Sequence, residues 1–235
     1  MDFKKYQHIE RFGTDEVMGI EIGTCHIFPK IDGANGSVWR NETTICCGSR
    51  NRQISLEDDN QGFMDYVARQ ENILEFFNKY PLHRLYGEWL IPHTLKTYRK
   101  DAWNKFYVFD VMDNFNNLLH YDIYSKMLDE FNIEYIRPLA IINNPTYENL
   151  VNKLPGNLYL IEDGKGAGEG IVIKNYQFTN RFGRQTWAKI VMTEFKEKHV
   201  KEMGIKATDG SKQVEQEIVD KYCTQTLVDK VYAKI

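Results

Sequence analysis

Along the chain the spacing of apolar positions changes several times, and each change marks an element. Phe3, Tyr6 and Ile9 recur at helical spacing, which predicts a short amphipathic helix or turn at the N-terminus. From Gly19 to Trp39 the pattern is that of extended chain, with Ile20, Ile22, Ile27 and Val38 broken by glycines, and Thr43 to Cys47 reads as a further strand. Gln61 to Tyr80 puts Phe63, Tyr66, Val67, Ile73, Leu74 and Phe77 on one helical stripe closed by Pro81. Leu85 to Leu90 is a short apolar strand. Phe106 to Met112 alternates, with Phe106, Val108 and Asp110 predicted on one face and Tyr107, Phe109 and Val111 on the other. Helices are predicted over Tyr121 to Ile133, with Tyr124, Met127, Leu128 and Phe131 inward, and over Thr146 to Leu154, with a strand from Pro138 to Ile142 between them. Glu169 to Lys174 and Gln185 to Val191 read as strands, Glu194 to Met203 as a charged helix, and Val214, Ile218, Tyr222, Val228, Val231, Tyr232 and Ile235 outline a last amphipathic helical region.

This order of elements predicts an α+β domain of antiparallel sheets flanked by helices over residues 1–200, with a short helical tail over 201–235. The apolar stripe of the tail runs to the last residue, so it reads either as packing on the main domain or as the start of a C-terminal domain that has been removed. A chain of 235 residues with 42% apolar and 13% aromatic content can bury a sizeable core, which excludes disorder. The net charge of −3 excludes a uniformly basic coat, so any polyanion site must be a local groove. Cys25, Cys46, Cys47 and Cys223 show no CxxC spacing and read as reduced thiols of a cytosolic protein. No apolar run approaches membrane-spanning length, and nothing signals a protein partner.

The candidate chemistry centres on Lys30-Ile31-Asp32-Gly33. An amine attacks a nucleotide phosphorus only when neutral, and a free lysine with pKa near 10.4 is neutral in only about 0.04% of molecules at pH 7. A nucleophilic Lys30 therefore calls for neighbouring cations or a metal. In an extended segment Lys30 and Asp32 would share a face and look into one cavity, and Asp32 would push the lysine pKa the wrong way. Arg50 and Arg52 sit in a small-residue turn and carry donor forks suited to phosphate. Glu88 interrupts an apolar strand, where an ionised carboxylate is costly unless a ligand hydroxyl, a metal or a partner meets it. Tyr107 or Phe109 could offer a purine its ring face. The glycine-rich run Gly164 to Gly168 lacks the ending of a Walker A loop and the GxGxxG spacing, so it reads as a mobile turn leading into Glu169. Strand alternation predicts Glu169 and Lys174 on opposite faces. Lys189, between apolar neighbours, is either an edge charge or a phosphate ligand.

Taken in order, KIDG at Lys30, the arginine turn at Arg50, YGEW at Glu88, FYVFDV at Phe109, EGIVIK at Glu169 and the lysine strand at Lys189 resemble the covalent nucleotidyltransferase superfamily of ATP-dependent ligases and capping enzymes. Within it the chain most resembles the RNA ligases of bacteriophages and kinetoplastid editing machinery that seal nicks in duplex RNA, and FKKYQHIE resembles the opening of the phage members. The resemblance runs from Asp2 to Lys198.

It implies a nucleotidyltransferase (ATP-grasp-like ligase) domain that joins 3′-hydroxyl and 5′-phosphate RNA ends with ATP and Mg2+ or Mn2+. Lys30 would become adenylylated, Glu88 would hold the ribose hydroxyls, and Phe109 would stack on adenine. Glu169 would contribute to the metal site, with Glu88 a second candidate ligand. Lys189 would contact the α-phosphate, Arg50 the nucleotide or RNA end, and Asn35 would act near the phosphates during sealing; Asp32 and Lys174 complete the implied nucleotide-binding set. The implied partner is nicked duplex or structured RNA, and the implied setting a cytoplasm, that of a phage host included. The pattern departs from the family at its last motif, where a second lysine is common one residue away and Trp187 and Val191 stand here. The chain also stops about where the phage enzymes begin a small C-terminal domain. A capping guanylyltransferase, a small DNA ligase and an idle RNA-binding module of the same fold are the rival readings.

Overall fold

Strand-forming residues dominate the first fifty positions, and the chain there contributes strands to two different sheets. The computed structural model describes residues 1–192, so the helix expected from Glu194, the helical tail and Cys223 lie outside the described residues. In chain order the strands and helices are β1 (Glu10–Arg11), β2 (Thr24–Lys30), β3 (Ala34–Asn41), β4 (Thr44–Gly48), β5 (Gln53–Ile54), α1 (Phe63–Ala68), α2 (Glu71–Lys79), β6 (Arg84–Leu90), β7 (Lys105–Met112), α3 (Tyr121–Glu130), β8 (Ala140–Asn143), α4 (Tyr147–Val151), β9 (Gly170–Lys174) and β10 (Ala188–Val191). One sheet has the order β1-β10-β9-β2-β8 and the other β5-β4-β3-β6-β7. All pairings are antiparallel except β1 with β10. Because β2 and β3 belong to different sheets, Ile31 to Gly33 carries the chain from one sheet to the other.

Period-2 alternation sorts the side chains into layers. Ile27, Ile171 and Ile173 leave the first sheet on one face and pack with Val17, Ile20 and Leu150. Phe28 and Val172 leave it on the other and pack with Tyr86, Leu90 and Tyr107 of the second sheet. The far face of the second sheet, through Val38, Leu85, Phe106 and Val108, is covered by Phe63, Phe76, Phe77, Tyr124 and Leu128 of the first three helices. Each fully buried ring there is worth about 2–3 kcal/mol relative to exposure, so Phe63, Phe76 and Phe77 do most to hold α1 and α2 down.

Several expectations change. Residues 1–9 form no helix: Phe3 packs tilted against Trp39 at 6.0 Å, while Tyr6 reaches inward to Tyr86 and Phe109, so the three-residue spacing reflects a chain laid across the sheets. The stripe from Gln61 to Tyr80 is two helices, because the Arg69 and Gln70 N–H groups close back on Tyr66 and Val67. α4 is shorter than expected and starts with Thr146 in a capping box with Asn149. The last described strand spans only Ala188–Val191. The alternation of β7 breaks at a register shift opposite Tyr86 and Gly87, where Asp110 pairs with Tyr86, Val108 with Gly87, and Phe109 is the extra residue. Cys25, Cys46 and Cys47 are free thiols, and among the described residues no helix is long and apolar enough to cross a membrane.

Candidate active site

The turn at Ile31 to Gly33 brings the chain leaving β2 against the end of β6, at Glu88 to Leu90. A side chain at Gly33 would collide with the Trp89 carbonyl, its Cβ only 2.5 Å away, so the glycine is what allows this approach. The Gly33 N–H then donates to Glu88 Oε1 at 3.0 Å. Beside this crossing lies a cavity of ≈ 290 Å³ between the two sheets, lined among others by Lys30, Asn35, Arg50, Glu88, Phe109, Lys174 and Lys189. Seven of the nine residues singled out in the sequence thus meet at one cavity, and an eighth, Glu169, is bonded to Lys30.

Lys30 ends β2 with Nζ donating to Glu169 Oε2 at 2.5 Å. Burial pushes its pKa down, but Glu169, Glu88 and Asp32 outweigh burial and the net shift is upward. The cations sought in the sequence therefore do not prevail: carboxylates hold the proton on Lys30. Those carboxylates respond in kind. Burial raises Glu88 to about 7 despite Lys30, and burial likewise raises Glu169.

Asp32 is not on a strand face shared with Lys30, because β2 stops at Lys30. Its carboxylate accepts from the Leu95 N–H at 2.6 Å and meets His93 Nδ1 at 2.9 Å, while its own N–H donates to the Tyr98 hydroxyl at 2.7 Å. Arg52, the second arginine of the turn, is paired with Asp58.

The bulge in β7 decides which aromatic faces the cavity. With one residue too many opposite β6, Phe109 and Asp110 both turn to the inter-sheet side and Val111 returns to the helix-covered side with Phe106 and Val108. Phe109 lines the cavity, whereas Tyr107 is buried with its hydroxyl donating to the Ala102 carbonyl at 3.0 Å. Asp110, fully buried, accepts from Tyr6 at 2.5 Å, Trp187 Nε1 at 3.1 Å and Lys174 Nζ at 2.8 Å. Lys174 also donates to the Phe109 carbonyl at 2.6 Å and lies 4.7 Å from the Phe28 ring centre. Burial lowers its pKa, against the pull of Asp110. Asp110 and Tyr6 were missed in the sequence, the first because a bulge leaves no mark in a run of alternating residues.

The expected opposition of Glu169 and Lys174 does not keep them apart. Glu169 precedes β9 and reaches Lys30, which pairs with Gly170, while Lys174 lies opposite His26 four residues along β2. Glu169 meets Lys30, and Lys174 lines the cavity farther along β2.

Two carboxylates, Glu88 and Glu169, are the groups that would hold a divalent cation. Among the described residues no three His, Cys, Asp or Glu side chains form a ready cage. A pair of hard carboxylates fits Mg2+ or Mn2+, which take one or two protein carboxylates together with water and phosphate oxygens.

Two sheets enclosing a strand-end lysine, with carboxylates, a ring and cations around it, make this a nucleotidyltransferase fold. The RNA ligase family profile matches residues 24–191, and the chain belongs to that family. Among solved structures the fold is similar to Naegleria gruberi RNA ligase with PPi, at TM-score 0.65 and 20% identity over 85% of this chain and 58% of that chain. Mutants of that ligase with ATP and Mn (TM-score 0.64, 17% identity, 84% and 58% of the two chains) and with AMP and Mn (0.64, 18%, 83% and 58%) are similar in the same way. This chain thus spans 58% of the length of those proteins. Among curated proteins no sequence matches it.

Proposed function

We propose that the chain is the adenylyl-transferring domain of an ATP-dependent RNA ligase that joins 3′-hydroxyl and 5′-phosphate ends. The observation that carries this is Lys30 Nζ, 2.5 Å from Glu169, in a cavity also lined by Glu88, Phe109 and Lys189. Family membership agrees with it. Nζ, once deprotonated, attacks the α-phosphorus of ATP; a P–N bond forms and the P–O bond to diphosphate breaks. A 5′-phosphate oxygen of the polynucleotide then attacks that phosphorus and frees Nζ. Finally a 3′-hydroxyl attacks the activated 5′-phosphate, AMP leaves, and the phosphodiester remains.

In this reading Phe109 stacks on the adenine, Glu88 holds the ribose, and Lys189, Arg50 and Asn35 surround the phosphates. Glu169 is the nearest acceptor for the Lys30 proton. Glu169 and Glu88 would hold a divalent cation, which when bound would supply positive charge against the phosphates and offset the carboxylates that raise the Lys30 pKa. Asp32 acts by fixing the turn that carries Lys30, through Leu95 and Tyr98. Lys174 sets the floor under the base. The polynucleotide is nicked duplex or structured RNA, met in the cytoplasm.

The test incubates the protein with α-labelled ATP or GTP and Mg2+ or Mn2+ and follows label that survives denaturation. An acid-labile adduct from ATP, absent in Lys30→Ala, is expected. An adduct from GTP moves the chain to the capping enzymes, efficient sealing of DNA in place of RNA moves it to the DNA ligases, and no adduct from AMP-free protein leaves an RNA-binding module.

A further inference from the structure

The cations around the cavity are of two kinds. Lys30 and Lys174 each face a carboxylate at 2.5 and 2.8 Å. Arg50 and Lys189 also line the cavity, and neither makes an ion pair with any described residue.

The short strand β1 adds a third cation just outside the lining, Arg11. Arg11 lies directly opposite Lys189 in the parallel ladder, so the two side chains leave the sheet on the same face. Its neighbours agree. Ile9 lines the cavity, Phe12 packs into the cluster on the sheet's outer face, and Glu10 pairs with Ala188 of that outer cluster. Arg11 is exposed and has no ion pair among the described residues. Its charge is felt at the cavity: the Lys189 pKa is lowered by burial first and by Lys30, with Glu169 pulling it up and Arg50 and Arg11 adding smaller downward pushes.

Position along the sheet says which anion such a residue can meet. The order β1-β10-β9-β2 puts Arg11 three strands from Lys30, about 14 Å across the sheet at ~4.8 Å per strand. Its guanidinium therefore serves a phosphate beyond the one that bonds to Lys30. Three like charges on one rim repel one another when nothing is bound, and two forks with an amine are a suitable receptor for phosphate oxygens.

We propose that Arg11, with Arg50 and Lys189, forms a phosphate-binding rim at the mouth of the cavity, in which Arg11 holds a phosphate that is leaving or arriving rather than the one joined to Lys30. The inference rests on the ligase reading for what that phosphate is. Two sources share the chemistry: the diphosphate end of ATP and the 5′-phosphate of the polynucleotide.

The experiment uses the full chain and the variants Arg11→Ala and Arg11→Lys. Preformed lysyl adduct, freed of ATP, is chased either with inorganic diphosphate, which re-forms ATP, or with 5′-phosphorylated RNA, which accepts AMP. Arg11→Ala is expected to form the adduct at saturating ATP but to need about ten times more of one chase ligand for half-maximal rate, with Arg11→Lys restoring most of the loss. An increase confined to diphosphate assigns Arg11 to the end of ATP, and one confined to RNA assigns it to the 5′-phosphate. In parallel, thermal stabilisation by inorganic diphosphate is compared between wild type and Arg11→Ala. Unchanged half-saturation in both chases, with equal thermal stabilisation, overturns the proposal. If wild type forms no adduct the ligase reading fails, and the thermal comparison alone then decides whether the rim binds phosphate.

Discussion

Lys30 and Lys174 line one cavity four residues apart in the β2–β9 register, each with a carboxylate within 2.8 Å, yet their pKa values move in opposite directions. At Lys30 a single bond to Glu169 is backed by two further carboxylates, Glu88 and Asp32, and a quarter of the side chain is open to solvent. At Lys174 the partner Asp110 is shared with Tyr6 and Trp187, a carbonyl takes a second ammonium proton, and only 2% of the side chain is open. The first pair has excess negative charge and an open side, so an incoming ligand can replace one of its members. In the second, Asp110 accepts from three buried donors and Lys174 donates to two acceptors, so its bonds are shared widely within the protein. The lesson is that a buried ion pair reads as chemistry or as scaffold according to what else its members bond to, not according to its distance.

The largest effect expected from breaking this contrast is at Lys30. Lys30→Met removes adduct formation by at least about 10³-fold while leaving the unfolding curve close to wild type, measured by label retention and by thermal unfolding. Asp110→Ala should do the reverse, costing about 3–5 kcal/mol in urea unfolding, because it strands Lys174, Tyr6 and Trp187 together. Adding Lys174→Met should recover part of that loss; a cost under about 1 kcal/mol for Asp110→Ala would break the scaffold reading.

Glu88 sharpens the contrast through pH. Its folded pKa, about 7, lies above its usual value of 4.5, so the stability it contributes is fully present below pH 4.5 and lost as pH rises to 7. Glu88→Gln keeps the acceptor for Gly33 and should therefore match wild type below pH 4.5 and exceed it by up to about 3 kcal/mol above pH 7, read from urea midpoints across that range. The smallest effect is at the ring: Phe109→Ala should raise the KM for ATP about tenfold, roughly 1.4 kcal/mol of stacking, with little change in unfolding.

Much of the site was legible because its residue types sat badly with their local pattern. Glu88 and Lys189 each interrupt apolar strands, where a charge needs a reason, and Lys30 stands at a strand end in a KIDG run. Phe109 was one of two candidates, and only the resemblance chose between them. Asp32 was misplaced because the sequence gives no mark that β2 ends at Lys30, two residues before the carboxylate. Tyr6 and Asp110 escaped for a related reason: one belongs to a segment with no regular structure, the other follows an extra residue in a ladder, and both depend on partners more than a hundred positions away. The break between α1 and α2 at Arg69 and Gln70 has neither glycine nor proline to announce it.

The single surplus residue in β7 also has a meaning for anyone who would reshape this cavity. In an unbroken strand, the positions to randomise would be alternate ones, and each could be varied independently of its chain neighbour. Here the cavity is addressed by an adjacent couple, Phe109 and Asp110, one presenting a ring and the other anchoring the lysine beneath it. A library built on every second residue would alter the ring and leave its support untouched, whereas deleting the surplus Phe109 would restore plain alternation, keep Asp110 opposite Tyr86 on the inter-sheet side, and take the ring away from the cavity.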